Sequence, residues 1–461
     1  MEPTAMDFSS ELNKYLVTKY AGRAFMYTEY PHKKYWMNQP KSDSSYRSAL
    51  QSICTNQDQA PVLLYVHTLH CQKQCYFCTC HTVISNDYNE VKNYLTLLFK
   101  EIDLLTKFFQ KAGSKPNIKE IHLGGGTPTY MHDDEFDELI VKLKGLVSFD
   151  ALSEFSIEID PRRVKKDRMA YYASKGINRV SFGIQDFDIN VQKAVNRIQP
   201  PELIENLLTE EVRSQFSNGV SFDIICGLPN QTKDSIRKTM ERIVKIGPDR
   251  ICLNYLHMSP KFAPHQLLMP QDKIPGPYDR KALFVEALGV LVNNGYVRTG
   301  YDHFAKPTDA VAQAMSKGEM QWNSLGVTPG RCTEMLGIGV HSYSRLGEHY
   351  YSQNYFEVEK YEACLNEGKF PIYREYELTD EDILRRHVIQ KLRSYFNVKF
   401  DEINSKFNVD FKNYFSKELK ALKEFETDGI VKIDSDQIAL SEAGYQFADM
   451  VCEKFDTFYS E

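Results

Sequence analysis

Four cysteines close together are the residues of this chain best suited to chemistry. Cys71, Cys75 and Cys78 have the spacing C-x3-C-x2-C, Cys80 follows, and an apolar, strand-like run precedes them at 61–67. Three thiolates this close can ligate three irons of a cubane cluster and leave the fourth iron open to a small ligand. An open iron suits a cofactor that binds iron directly, so the spacing predicts radical chemistry started by S-adenosylmethionine (SAM).

Zinc and disulfides are the competing interpretations. Structural zinc sites usually pair one cysteine knuckle with a second about 12–20 residues away, whereas the next cysteine after Cys80 is Cys226. The 10 cysteines show no regular spacing outside 71–80, and no apolar signal segment opens the chain, so a disulfide framework is disfavoured. We therefore favour an iron–sulfur cluster in a reducing compartment. Cys80 stays open between a fourth ligand and a residue that lines the site.

Composition favours a cytoplasmic enzyme. The 461 residues, of which 42% are hydrophobic, are enough for two or three structural units with a sizeable core. A net charge of −6 and a pI of about 6.1 argue against non-specific nucleic-acid binding. No apolar run approaches the ~18 residues that a membrane span needs.

Short apolar strand candidates alternate with amphipathic helical patterns from about residue 61 to residue 256. This order predicts an α/β fold whose parallel strands are covered on both faces. Six strands are too few for a closed (β/α)8 barrel, so we expect an open three-quarter (β/α)6 barrel. The strand candidates are residues 61–67, 119–124, 154–160, 178–184, 220–226 and 250–256.

Four regions are expected along the chain. Residues 1–60 are an aromatic-rich N-terminal extension that should pack over the barrel, which we place at 61–275. Residues 276–365 are a mixed α/β extension that should cover the active site. Residues 366–461 are mostly helical and contain the helix–hairpin–helix order of a winged helix. Winged helices often bind DNA, but this one has no basic excess, so a packing role is favoured.

The remaining candidate residues stand where the predicted strands end. A glycine run at 124–126 ends the second strand, Glu158 lies within the third, and Gln185 follows the fourth. Ligands of parallel sheets bind at the carboxyl ends of the strands, so these side chains should meet the cysteines there. Glycines let a backbone approach a ligand closely, although a glycine run can also be only a tight turn.

Taken together, these motifs resemble the family of oxygen-independent coproporphyrinogen III oxidases, which are radical SAM enzymes of haem biosynthesis. The likeness covers nearly the whole chain. The cysteines and glycines alone specify only the superfamily, whereas Cys80 and the run Asp302-His-Phe-Ala-Lys-Pro307 are more selective. The other shared motifs are Tyr65-Val-His67, Ile157-Glu-Ile-Asp-Pro161, Gly183-Ile-Gln-Asp-Phe187, Asn196-Arg197 and Leu336-Gly-Ile-Gly339.

The resemblance implies a [4Fe–4S] cluster and two SAM molecules as cofactors. Cys71, Cys75 and Cys78 would ligate the cluster, and SAM would chelate its open iron. His67 and Cys80 are the candidate catalytic residues, although a buried structural role explains His67 equally well. The implied cofactor-binding residues are Tyr65, Phe77, Gly125, Gly126, Thr127, Glu158, Gln185, Arg197, Asp223, Leu256 and Ile338.

The resemblance also implies a reaction. A radical formed from SAM would take hydrogen from a substrate propionate, and loss of CO2 and one electron would leave a vinyl group. Two such steps convert coproporphyrinogen III to protoporphyrinogen IX. We expect a monomer, an electron donor such as flavodoxin or ferredoxin, a tetrapyrrole substrate and no nucleic acid. Basic residues must meet the substrate carboxylates, and the candidates are Arg23, Arg162, Arg163, Lys306 and Arg331.

Several positions depart from the family pattern. They fall near 23–31, within 67–81 and at 323–341, and Thr79 and His341 are examples. The first and last of these segments should cover the substrate. Two alternatives therefore stand beside the main interpretation. One is a related radical SAM enzyme that methylates or opens another tetrapyrrole, and the other is a non-catalytic haem-binding relative.

Overall fold

Seven parallel strands form the centre of the fold. The computed structural model describes residues 11–20, 29–36, 39–55, 60–323, 325–330 and 332–459. In that part of the chain the parallel strands belong to one twelve-stranded sheet, and we number them β1–β7. They are β1 Val62–Thr68, β2 Ile118–Gly125, β3 Glu154–Ile159, β4 Arg179–Gln185, β5 Val220–Cys226, β6 Arg250–Tyr255 and β7 Glu334–Ile338.

Strands β1–β6 lie side by side in chain order, so the six strands predicted from sequence are confirmed. β7 was not predicted as part of this array, and it pairs in parallel with the other side of β1. In the described residues the two edge strands, Val297–Arg298 and Ile372–Glu377, do not pair with each other. The sheet is therefore an open barrel, as predicted. Its other antiparallel strands are His303–Ala305, Tyr343–Leu346 and Tyr350–Asn354.

Amphipathic helices cover the sheet. The helix Tyr88–Ala112 starts after Asp87, whose side chain accepts a hydrogen bond from the Asn89 N–H, and it stops at Gly113 in the left-handed conformation. No helix in the described residues is long and apolar enough to cross a membrane. The other helices of this region are Ser44–Thr55, Asp133–Leu146, Lys166–Ser174, Ile189–Ala194, Pro201–Leu207, Glu210–Arg213, Lys233–Ile246, Pro277–Asn293, Ala310–Lys317 and Val358–Asn366.

The C-terminal region is mostly helical and packs against the barrel. Buried Arg393 donates to Asp449 within this region at 2.8 Å, and it lies 3.7 Å from Asp302 beside the sheet. The region contains a three-stranded sheet of Asn397–Lys399, Val431–Ile433 and Gln437–Leu440. Its helices are Asp380–Tyr395, Phe400–Phe407, Phe411–Tyr414, Ser416–Ala421, Lys423–Thr427 and Ala448–Glu453.

The described N-terminal residues contact both the sheet and the C-terminal region. The helix Glu11–Lys19 is followed by Tyr20, whose ring stacks on Phe425 at 5.0 Å between centroids. Trp36 is buried against Tyr351, with ring centroids 4.9 Å apart. Aromatic burial of this kind contributes more than area alone, because stacked and tilted rings attract one another.

Glu101 is a buried carboxylate that ties the helix Tyr88–Ala112 to the turn after β7. It accepts hydrogen bonds from the Gly339 N–H at 2.7 Å, from the Asn354 side chain at 2.8 Å and from the Tyr361 hydroxyl. Burial raises the pKa of Glu101 to about 7 despite these donors. Protonated Glu101 is therefore favoured by folding, and the stability that it contributes below pH 4.5 is lost as pH rises through about 7.

We expect Glu101→Gln to flatten the pH dependence of thermal stability. The wild-type melting temperature should fall between pH 5 and pH 8 as Glu101 ionises, whereas the amide cannot ionise. Glu101→Ala should lower the melting temperature by about 5 °C at both pH values, because it leaves three buried donors without an acceptor. Differential scanning fluorimetry measures both effects, with exposed Glu138→Ala as the neutral control. An unchanged pH slope in Glu101→Gln would contradict this role.

Candidate active site

The cysteine loop follows β1 and is held by backbone and side-chain groups from other strand ends. The Tyr76 N–H donates to the Val195 carbonyl at 3.1 Å, and the Asn196 side chain donates to the Gln74 carbonyl at 2.7 Å. After β6, His265 Nε2 donates to the Cys78 carbonyl at 2.7 Å. The short strands His70–Cys71 and Val83–Ile84 close the loop. These contacts position the backbone of the loop.

A cavity of about 850 Å³ opens beside this loop at the carboxyl ends of the strands, and we call it the cysteine cavity. All four cysteines line it, and none forms a disulfide. In the described residues no three His, Cys, Asp or Glu side chains are close enough to hold a single metal ion. The cysteines are brought together as lining residues of one cavity. The other candidates that line it are Phe77, Gly125, Gly126, Thr127, Glu158, Gln185, Arg197 and Asp223.

Hydrogen-bond donors point at the cysteine sulfurs. Thr127 Oγ1 donates to Cys71 Sγ at 3.2 Å, and Arg197 Nη1 donates to Cys75 Sγ at 3.4 Å. Arg162 Nη2 lies 3.8 Å from the same sulfur and pairs with Asp160 at 2.7 Å. Hydroxyl and guanidinium donors stabilise a thiolate more than a neutral thiol. The donor set therefore suits anionic, metal-ligating cysteines.

The thiols differ in acidity. Burial raises the pKa of Cys71 to about 12, and a hydrogen bond with Cys80 lowers the pKa of Cys78. The same contact raises the pKa of Cys80. Cys80 is the exposed member of the four, and its thiol faces Cys78. A bound metal deprotonates its cysteine ligands outright, so the raised pKa of Cys71 does not oppose ligation.

The glycine run allows close backbone approach to the cysteine loop. Gly125 has φ of 101°, and a Cβ built there would lie 2.5 Å from the His67 ring. At Gly126 a Cβ would lie 2.7 Å from the His70 carbonyl oxygen. Both distances are shorter than any normal contact, so no other residue fits. The Gly125 N–H donates to Glu158 Oε2 at 3.3 Å, which links this run to β3.

Two buried oxygen atoms on the cavity wall have no hydrogen-bond partner among the described residues. They are Gln185 Oε1 and Thr129 Oγ1. Gln185 also adopts φ of 65°, at a bulge in the pairing of β4 with β5. An unpaired buried polar atom is costly, so each position is suited to a polar ligand that fills the cavity. This is the environment expected of a site for the methionine or ribose groups of SAM.

A second cavity, of about 480 Å³, occupies the inside of the barrel, and we call it the barrel cavity. The two cavities share Cys80, Gly125, Glu158, Ser181 and Asp223 on their linings. Burial and the nearby Glu158 carboxylate raise the pKa of Asp223 to about 6. The two cavities thus meet at a wall that carries two carboxylates, Glu158 and Asp223.

His67 and Tyr65 face the barrel cavity. His67 Nε2 donates to the His81 carbonyl at 2.9 Å, so its Nδ1 is the acceptor for the Tyr65 hydroxyl at 3.0 Å. Burial lowers the pKa of His67 to about 4, which keeps the ring neutral at neutral pH. Both residues are fixed in one orientation beside Gly125.

Comparison with known proteins decides the family. The radical SAM superfamily model matches residues 65–243, and the HemN C-terminal domain model matches residues 378–447. The oxygen-independent coproporphyrinogen III oxidase of Pseudomonas aeruginosa is 34% identical to this chain, covering 86% of each. The corresponding Escherichia coli protein is 33% identical over 96% of this chain and 94% of its own. The chain belongs to the oxygen-independent coproporphyrinogen III oxidase family.

The fold agrees with this assignment. The structure of coproporphyrinogen III oxidase (HemN) from Escherichia coli, described as a radical SAM enzyme, matches with a TM-score of 0.87 and 31% identity. The match covers 96% of this chain and 99% of that one. The resemblance inferred from sequence is therefore confirmed, together with the fold class. Membership of the superfamily implies a [4Fe–4S] cluster and SAM.

Several residues that the sequence suggested for the site lie away from both cavities. Leu256 and Ile338 are buried and do not line either cavity. Lys306 was wrongly assigned to the substrate, because it pairs with Asp249 at 3.0 Å before β6, at the opposite end of the strands. Arg163 does line the cysteine cavity, and Arg162 does so in its pair with Asp160. Arg23 and Arg331 fall outside the described residues.

Sequence reasoning missed two groups of the oxidase site. His122 Nε2 donates to Glu158 Oε1 at 3.0 Å, and its Nδ1 is hydrogen-bonded to Ser156 Oγ at 2.7 Å. These contacts fix the Glu158 carboxylate. Asp160 orients Arg162 and lies 3.7 Å from Arg197. Asp160 stands inside the motif Ile157–Pro161, two residues from Glu158, and His122 lies in the second predicted strand two residues before the glycine run, so proximity in sequence was the available signal.

Proposed function

We propose that this chain converts coproporphyrinogen III to protoporphyrinogen IX by oxidative decarboxylation of two propionates to vinyl groups. The relatives that carry this activity in their names support the proposal. The observation on which it rests most is the shared wall of the two cavities. A radical formed beside the cysteines would reach a substrate propionate held in the barrel cavity by way of the shared wall at Cys80, Gly125 and Asp223.

Named residues would hold each cofactor. Cys71, Cys75 and Cys78 would ligate the cluster, and Thr127 and Arg197 would stabilise their thiolates. When bound, the cluster and SAM supply the radical that removes hydrogen from the substrate. The glycine backbone at 125–126 and the unpaired Gln185 oxygen would bind the SAM polar groups. Cys80, whose thiol stands between the two cavities, is the candidate hydrogen or electron carrier on the protein.

We also infer that two SAM molecules bind. Glu158 and Asp223 are carboxylates that line both cavities, and each suits a ribose hydroxyl or an ammonium group. The extension at 276–365 supplies Val327 and His341 to the barrel cavity, which supports a covering role for it. An external one-electron donor such as flavodoxin or ferredoxin would reduce the cluster, and a monomer would suffice for all of these contacts.

Lys33 is the cation best placed for a substrate carboxylate. It lines the barrel cavity, and its Nζ lies 3.7 Å from the centroid of the Tyr343 ring. Among the described residues it makes this cation–π contact but no ion pair. Burial lowers the pKa of Lys33 to about 8, so it is charged at pH 7 and loses its charge as pH rises above 8.

Lys33→Met should raise the KM for the porphyrinogen about tenfold, because one charge-assisted contact is lost. The wild-type KM should rise as pH passes 8, whereas Lys33→Arg should keep a flat profile because guanidinium stays charged. Steady-state anaerobic assays between pH 7 and pH 9 measure this. Lys34→Met on the exposed neighbour is the control. An unchanged KM in Lys33→Met would remove Lys33 from the substrate site.

Anaerobic reconstitution tests the whole proposal. The chain is loaded with iron and sulfide, then incubated with SAM, dithionite, an electron acceptor and coproporphyrinogen III. We expect 5′-deoxyadenosine and divinyl product, both resolved by liquid chromatography. Deoxyadenosine without vinyl product would favour action on another tetrapyrrole. Tight haem binding without any SAM cleavage would favour a carrier and overturn the enzymatic proposal.

A further inference from the structure

The segment after β6 exposes a group of large apolar side chains. Phe262, Leu267 and Leu268 are 83%, 59% and 62% exposed, and we call these three the apolar shelf. Phe262 has the highest exposed fraction of any large apolar side chain in the part of the chain that the structure describes. Single exposed apolar residues need no explanation, but three within seven residues mark a surface that excludes water when covered.

The shelf is held rigidly despite its exposure. Gln266, which lies between the exposed residues, is fully buried. Its Oε1 accepts from the Ser259 N–H at 2.6 Å, and its Nε2 donates to the His257 carbonyl at 2.8 Å. A buried, fully bonded side chain fixes the backbone on either side of it. The backbone that carries Leu267 and Leu268 is therefore anchored.

The same segment contacts the backbone of the cysteine loop. Gln266 Nε2 also donates to the Phe77 carbonyl at 3.0 Å, and His265 Nε2 donates to the Cys78 carbonyl at 2.7 Å. The shelf thus lies directly beside Phe77 and Cys78 of the cysteine loop, and Cys78 is one of the three proposed cluster ligands.

The segment that carries the shelf is free of acidic residues. Residues 256–271 contain Lys261 but no Asp or Glu, although the net charge of the chain is −6. The next residue, Asp272, pairs with Lys273 at 3.2 Å, so it adds no net negative charge. The Lys261 ammonium lies 5.8 Å from the Phe262 ring centroid, at the rim of the shelf. An apolar centre with a cationic rim is complementary to an acidic protein surface.

We propose that the apolar shelf is the docking surface for a small acidic protein that delivers single electrons to the cluster. The inference rests on the proposed function, because that reaction consumes electrons at the cysteine loop. One electron leaves the carrier and enters the cluster, and no bond is made or broken in the transfer. A small surface suits this partner, since complexes of redox proteins are transient and bury less than about 1,200 Å².

The test compares a protein donor with a chemical one. In the reconstituted full-length chain, Phe262→Ser/Leu267→Ser/Leu268→Ser should slow cluster reduction by flavodoxin hydroquinone or by reduced ferredoxin about tenfold, because anchor side chains are lost. Stopped-flow bleaching of the cluster absorbance measures the rate. Reduction by dithionite, which needs no docking, should be unchanged. Val141→Ser, which alters an exposed apolar residue on the helix Asp133–Leu146, is the matched control.

A binding measurement separates docking from catalysis. Carbodiimide should cross-link Lys261 to carboxylates of the oxidised carrier, and Lys261→Glu should abolish the link and reduce the salt dependence of the reduction rate. The docking proposal would be overturned if both carriers reduced the triple variant at the wild-type rate, or if dithionite reduced it more slowly by the same factor. It would also be overturned if neither carrier reduced the wild-type cluster. These readouts do not depend on the porphyrinogen, so failure of vinyl formation would count against the proposed function alone.

Discussion

Cys75→Ala is expected to abolish the brown chromophore of the reconstituted chain and all SAM cleavage. Cys75 is buried, and its sulfur receives two guanidinium groups, from Arg162 and Arg197. Removing the sulfur leaves these cations facing an empty position and takes away one of three iron ligands. Cluster binding depends on cysteine thiolates, so iron content should fall to background. Iron and sulfide analysis with absorbance near the cluster band measures the loss.

Two further variants make this result specific. Cys80→Ala should keep the chromophore but lower turnover, because Cys80 is exposed on the wall between the cavities. Cys364→Ala, in the helix Val358–Asn366, should change neither property. A colourless Cys80→Ala protein would make Cys80 a cluster ligand. Zinc in place of iron in the anaerobically purified wild type would refute the cluster itself.

Gly126→Ala is expected to reduce SAM cleavage at least a hundredfold while the cluster is retained. The added methyl group would lie 2.7 Å from the His70 carbonyl oxygen and 2.9 Å from the Thr68 carbonyl oxygen. These are backbone atoms of the cysteine loop and of the last residue of β1, and they cannot rotate away. The loop or the glycine run must therefore move, and a displacement of about 1 Å at a reacting centre costs on the order of a hundredfold in rate.

The glycine prediction has a matched control within the chain. Gly289 lies inside the helix Pro277–Asn293, and a Cβ there would meet nothing within 4 Å. Gly289→Ala should leave activity unchanged and raise stability slightly, since alanine is the better helix former. Single-turnover formation of 5′-deoxyadenosine with dithionite gives the rate for both variants. Equal activity of Gly126→Ala and wild type would mean that close approach at this turn is unnecessary for catalysis.

The sequence predicted those site residues whose positions follow from local motifs and strand ends. The cysteines, the glycines at 124–126, Glu158 and Gln185 each follow or end a recognisable strand, and parallel strands gather their carboxyl ends. Periodicity also located six of the seven parallel strands. β7 was not predicted because it is only five residues long, and its place in the sheet depends on pairing with β1, which lies over 270 residues earlier in the chain.

Side-chain partners were harder to predict than positions. Lys306 belongs to a selective motif, yet which end of β6 it faces is decided by its pairing with Asp249. Arg162 was one of five candidates for the substrate carboxylates, and the structure adds its bidentate contact with Asp160 and its position beside Cys75. No sequence pattern pointed to Lys33 as a site residue, because the N-terminal segment reaches the barrel cavity only through tertiary packing. Charge pairing across distant segments is not encoded in spacing.

Four hydrogen bonds join the backbone of the cysteine loop to Val195, Asn196, His265 and Gln266, and none of these four involves a cysteine sulfur. Replacing one thiol by a methyl group therefore leaves all four contacts available. A cysteine variant that loses iron thus reports on metal ligation separately from the placement of the backbone around it.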